Sequence, residues 1–208
     1  MSDLLRRRVI PSTIIRVSAI DRPARIGAAL RRARGGRGRV DLYFAFDDPC
    51  SAAALLDLTE RLATRPVDLV ALPVVERGIP DDPAVEDKRT YAIEDARRLF
   101  RRRGLELGRT EPIAAAATAA LAAHAMTLAP QERLAFCADA LARLWLEGAD
   151  VTAPGGGDEN AVRANERAMV ERGPYDTPAA MIGRDWWFAH DRLAQIAERL
   201  DRLGWTAR

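Results

Sequence analysis

The clearest alternation of apolar and polar positions lies between residues 39 and 74. The run RVDLYFAF (Arg39 to Phe46) is almost continuously apolar, bounded by a glycine-rich stretch before it and by Asp47-Asp48-Pro49 after it. That pattern predicts a strand buried on both faces. The next run, CSAAALLDLTERLAT, repeats its apolar residues at helical spacing, and PVDLVALPV (Pro66 to Val74) returns to strand character. Asp48 stands where a helix N-cap belongs and Pro49 at the first helical position. A carboxylate accepts from the free amides of a first turn, and a proline there forfeits no hydrogen bond. Strand, helix, strand in this order predicts a βαβ unit.

The period then lengthens. Residues 82–148 read as three successive helices: DPAVEDKRTYAIEDARRLFRRRG ending at Gly104, EPIAAAATAALAAHAMTLA opening on Pro112, and PQERLAFCADALARLWLEG opening on Pro130 and stopping at Gly148. GADVTAPGGGDEN is a loop, and NAVRANERAMVERG is a further helix. Near the end, PYDTPAAMIGRDWWFA predicts two short strands turning at Gly183-Arg184, and HDRLAQIAERLDRLG an amphipathic helix. The alternation at Trp186 and Trp187 places one indole on the core and the other toward solvent or a partner. The whole order, βαβ, helical block, helix, ββα, is a thioredoxin-like α/β layout with a helical insertion at about 82–148. It divides the 208 residues into a basic arm over 1–39 and one domain over 40–208.

Charge sharpens that division. Residues 1–39 hold eleven arginines against Asp3 and Asp21, a net of +9, whereas the remainder carries 21 basic and 28 acidic residues, a net of −7. The arm is arginine-rich and acid-poor, as organellar transit peptides are. Its run from Arg31 to Arg39 carries charge that could touch phosphate or anionic lipid. No aromatic residue interleaves those arginines, so nucleic-acid binding is disfavoured, and a solvated arm or a short helix docked on the domain is expected. No apolar run approaches the roughly 18 residues of a membrane span. Cys50 and Cys137 form no CxxC, and His124 and His190 are the only histidines. A disulfide framework, a zinc site and a dithiol oxidoreductase are therefore disfavoured, and a reducing, cytoplasmic setting is expected. His124, within an alanine-rich helix, reads as a packed core residue.

Four segments together resemble the 2-hydroxychromene-2-carboxylate isomerase and kappa-class glutathione transferase family, a group that shares its fold with the disulfide oxidant DsbA. They are VDLYFAFDDPCS, DKRTYAIEDARRLFRRRGL, YDTPAAMIG and WWFAHDRL. The resemblance covers roughly residues 40–203, and the joint spacing of the last two segments is its most specific part. It implies a homodimer, a small aromatic or electrophilic substrate, and glutathione lying beside the first helix. The cysteinyl backbone of glutathione would pair with Thr177, which precedes a cis proline at Pro178. Its γ-glutamyl end would meet His190 and Asp191 at the start of the last helix, and Lys88 would help hold an anionic ligand. Its sulfur would sit at the first helix's N-terminus, where the family has a serine and this chain has Asp48. The family's tyrosine beyond the proline is Cys50 here, and the connection from Gly148 to the Pro178 segment is shorter.

Asp48 changes what that position can do. A helix N-terminus stabilises a thiolate by about 0.3–1 kcal/mol. One like charge at ~4 Å and an effective dielectric of 20 opposes it by about 4 kcal/mol, and Asp47 adds a second. Two outcomes remain open: Asp48 caps the helix and the site is inert, or it serves as a general base on a neutral thiol or on substrate. The corresponding function classes are a glutathione-dependent isomerase or transferase and a non-catalytic thioredoxin-like module that binds a protein partner.

Overall fold

A computed structural model describes residues 22–79 and 82–207. The elements are α1 (Arg22–Ala33), β1 (Gly38–Phe44), α2 (Pro49–Leu62), β2 (Val67–Pro73), α3 (Val85–Arg102), α4 (Ala115–Thr127), α5 (Pro130–Trp145), α6 (Glu159–Glu171), β3 (Ala179–Ile182), β4 (Asp185–Phe188) and α7 (Leu193–Arg202). The sheet order is β2-β1-β3-β4, with β1 and β2 parallel and the other two pairs antiparallel. This is the thioredoxin-like layout, with α3, α4, α5 and α6 between the parallel and antiparallel halves.

Strand alternation distributes the core. Val40, Leu42 and Phe44 of β1, with Ala180 and Ile182 of β3, join Leu55 and Leu58 of α2, Leu141 and Trp145 of α5, and Ile196 and Leu200 of α7 in the main core. Tyr43, Ala179 and Met181 point the other way and pack with Val74 and with Met169 of α6. Both sheet faces are thus covered. Trp187 packs on the main core and Trp186 on the α6 side. Both indoles are half-buried, so Trp186 keeps part of its surface open while it packs against the α6 side of the sheet.

Two helices begin later than the sequence pattern indicates. α4 starts at Ala115, past Pro112, and its N-cap Ala114 makes no side-chain hydrogen bond. α7 starts at Leu193, so His190 and Asp191 lie in the turn before it. Pro130, by contrast, is the first residue of α5. Within the arm, α1 docks by Arg32, which donates to Leu203 O and lies over the Trp205 ring at 5.2 Å. Residues 1–21 of the arm lie outside the described residues. No helix among those described is long and apolar enough to cross a membrane.

Candidate functional site at the mouth of the first core helix

β1 ends against α2, and the turn between them carries Asp47 and Asp48. Asp48 is the N-cap of α2: it has extended backbone, Pro49 follows it, and its Oδ1 accepts from Cys50 N at 2.9 Å. Its other oxygen, Oδ2, accepts from Ser51 Oγ at 2.6 Å and from Thr177 Oγ1 at 3.2 Å. Ser51 Oγ in turn accepts from Ala45 N at 3.2 Å. The Thr177–Pro178 peptide is cis. The fold therefore brings Asp48 and Thr177, expected on one site, into direct contact, and it adds Ser51 as a link between strand, cap and carboxylate.

Asp48 is only 7% exposed. Burial pushes its carboxyl above the ordinary value of 3.8. The nearby Arg77 cation, the Ser51 hydrogen bond and the Cys50 amide pull it back, and Asp47 pushes it further up. Desolvation favours the neutral acid, and partners of the charged form oppose that. The Ser51 and Thr177 hydroxyls suit either state, since a hydroxyl donates to a carboxylate and accepts from a carboxylic acid.

Arg77 is the residue that the sequence pattern did not reveal. It lies just past the C-terminal end of β2, with NH2 at 2.9 Å from Asp47 Oδ1 and Nε at 3.7 Å from Asp176 Oδ1. The repulsion expected between two bare carboxylates is thus relieved by a cation. The one available signal was position, because ligand sites in open α/β sheets gather beyond the carboxyl ends of parallel strands. Arg77→Ala is expected to lower stability at neutral pH by about 1.5–3 kcal/mol, the range for hydrogen bonds to charged groups. Chemical denaturation of wild type and variant at neutral pH measures it.

Lys88, His190 and Asp191, the other expected ligand contacts, form no hydrogen bond or ion pair with Asp48 among the described residues. Thr177 N donates to Asp176 Oδ1 at 2.8 Å, so the amide expected to meet a ligand carbonyl is engaged by its neighbour. His190 Nε2 lies 4.0 Å from Asp191 Oδ1, and His190 Nδ1 is buried with no hydrogen-bond partner among the described residues. Lys88 stays at the exposed rim, paired with Asp82, whose hydrogen bond raises its pKa; Asp176 and Tyr175 lie within its electrostatic reach. The Cys50 thiol points away from the helix mouth toward Ala92 O, at 3.8 Å. Burial, then Asp48, Asp95 and Asp191, push the Cys50 thiol far up, which removes it as a thiolate nucleophile. Cys137 is fully buried and pushed up to about 12 by burial. His124 is half-buried, not fully packed: Nδ1 meets Gly155 O at 3.2 Å, and its ring stands edge-on to Phe136. Behind Asp47, a cavity of about 10 Å³ lies between Ile93, Pro112, Ile113 and Trp145, enough for one water. No group of three or more His, Cys, Asp or Glu among the described residues could hold a metal ion.

These features define a thioredoxin-like fold of the DsbA-like kind, with the Asp48 carboxylate at the N-cap of α2. No protein-family model matches the chain, and no curated protein matches its sequence. Solved structures do share its fold. A 2-hydroxychromene-2-carboxylate isomerase is similar with a TM-score of 0.60 at 18% identity, over 80% of this chain and 96% of the other. The cytosolic disulfide reductase DsbM from Pseudomonas aeruginosa, solved with GSH, is similar at 0.50 and 15%, over 80% and 96%. A probable DsbA oxidoreductase from Streptomyces coelicolor reaches 0.46 and 14%, over 81% and 90%.

Proposed function

We propose that this chain binds glutathione at the mouth of α2 and acts in the cytoplasm as a glutathione-dependent isomerase or transferase on a small aromatic or electrophilic compound. In this reading the reactive sulfur belongs to glutathione and Asp48 takes its proton. The observation that carries it is the buried Asp48 carboxyl, raised in pKa and hydrogen-bonded to Ser51 and to Thr177 beside the cis proline. A neutral thiol approaching Asp48 gives its proton to Oδ2 as the sulfur–carbon bond forms on an unsaturated carbon of the substrate. The displaced electron pair moves onto the substrate. For isomerisation, the single bond so created rotates, the sulfur leaves, and the proton returns from Asp48. Thr177 and Pro178 line the cysteinyl portion, Lys88 offers its charge at the rim, and His190 and Asp191 face the γ-glutamyl end. The His190 Nδ1 atom, buried without a partner among the described residues, supports that last role.

The competing reading is a non-catalytic module that binds a protein partner. Two observations favour it: Asp176 already occupies the Thr177 amide, and the cavity behind Asp47 has room for one water only. Glutathione at a hundred times its dissociation constant should add about 2.7 kcal/mol of stability. A rise in Tm with millimolar glutathione is the expected result, and no rise favours the module. Where turnover of an electrophilic aromatic substrate is found, Asp48→Asn should lower it at least ~100-fold, the usual lower bound for a general base.

A further inference from the structure

A second concave site lies at the other end of the sheet, roughly 20 Å from the Asp48 turn at about 3.3 Å per strand residue. It is a groove of about 810 Å³ formed by α1, the β3–β4 turn and the chain around Leu203 and Trp205. Five arginines and two aspartates line it, a net of +3. Pro23 and Ala24 of α1 supply exposed apolar surface beside the charges, and Ala28, Met181, Ile182 and Leu203 line the groove as buried residues.

The arginines are of two kinds. Arg172 and Arg199 are set in place by the sheet. Arg172 donates to buried Asp41 Oδ2 at 2.9 Å, to Tyr43 Oη at 3.1 Å and to Gly183 O at 3.2 Å. Arg199 is buried and pairs with Asp185 at 2.8 Å. Arg39 also reaches Asp41, at 2.5 Å, so one buried acid already serves two guanidinium groups. Arg31 and Arg184 are exposed on opposite walls, and neither has an ion pair with any described residue. A set of ion pairs needed only for folding would match cations to anions; this one leaves cationic charge in excess and aims it into a concave surface. Planar guanidinium forks anchored in advance suit phosphate oxygens, which they meet in paired, charge-assisted hydrogen bonds. The volume falls in the range of small-ligand sites.

We propose that this groove binds the phosphate group of a phosphate ester, with the ester's organic part on the apolar surface beside the arginines. Arg172 and Arg199 give the fixed contacts, and Arg31 and Arg184 close on the anion from the two walls. The site is separate from the helix mouth and does not depend on the glutathione reading. Two sources present this chemistry, a free phosphorylated metabolite and a lipid headgroup, and the test separates them.

Inorganic pyrophosphate titrated into the full chain by calorimetry, and flotation with vesicles of phosphatidylglycerol in phosphatidylcholine, are the two arms. Saturable binding of pyrophosphate, falling at least tenfold in affinity in the R31A/R184A double variant, identifies a soluble phosphate ester as ligand. Flotation that the same double variant abolishes, without pyrophosphate binding, identifies a headgroup. Arg31 and Arg184 are exposed, so the double variant should keep the wild-type Tm. Arg172→Ala strands a buried aspartate and is less suited to the purpose. Absence of binding in both arms overturns the proposal. Binding that the double variant leaves unchanged overturns it too, as does binding of single-stranded RNA with neither phosphate probe retained.

Discussion

Trp145→Ala is expected to remove about 3–5 kcal/mol of folding stability, the range for deleting a large aromatic from a core. Trp145 is fully buried at the end of α5, and its indole Nε1 donates to Phe46 O at 2.9 Å. It therefore ties the helical block to the last residues of the β1 run, one residue before Asp47. Its backbone carbonyl also accepts from Gly108 N at 2.8 Å and Arg109 N at 3.2 Å, holding the α3–α4 connection. Trp145→Phe separates the two contributions: it keeps most of the volume and leaves Phe46 O unpaired, a loss of about 1–3 kcal/mol. Denaturant melts of the two variants give both numbers. A Trp145→Ala loss under about 1 kcal/mol contradicts this account of the core, since a well-packed site of that size does not collapse freely.

The second large effect concerns Asp48, where size and sign differ between replacements. Asparagine can still accept from the Cys50 amide and is a good N-cap, whereas alanine cannot accept at all. Asp48→Ala loses the cap, about 0.5–2 kcal/mol, and also takes the acceptor from the Ser51 and Thr177 hydroxyls. It is expected to fall below Asp48→Asn by about 1.5–5 kcal/mol, the cap plus one buried donor left unsatisfied. The pH dependence carries its own sign. The folded-state pKa of Asp48 is raised above 3.8, so the folded chain holds this proton more tightly than the unfolded chain does. The resulting stabilisation is fully present below about pH 3.8 and is lost as pH rises through the folded value. Asp48→Asn lacks that contribution, and its stability relative to wild type should improve from acid to neutral pH. An unchanged difference across that range removes the argument from burial.

The parts of the fold that could be read from sequence were those decided locally. The β1 run ends at a proline and an aspartate whose chemistry suits one position each, and both stand there. The same holds for Pro130 at the start of α5 and for the turn at Gly183 and Arg184. The start of α4 could not be read, because a run of alanines is apolar on every side and has no phase to mark its first turn. The site was legible in its backbone frame, with Asp48 next to Thr177 and Pro178, and illegible in its charge balance. Arg77 comes from beyond β2 to meet Asp47 and Asp176, contacts that no local pattern encodes. The partial covering of Trp186 depends in the same way on α6 packing across the second face of the sheet.

At the mouth of α2 stands a desolvated acid of the protein's own, Asp48, held by two hydroxyls and an amide. Titration of the Asp48 carboxyl carbon by NMR, assigned by comparison with Asp48→Asn, reads its protonation directly. A midpoint clearly above the ordinary 3.8, set by burial, is the expected result. A midpoint at or below that value would mean that Arg77 and the hydrogen bonds outweigh desolvation, and Asp48 would then be a plain cap with no proton to exchange at working pH.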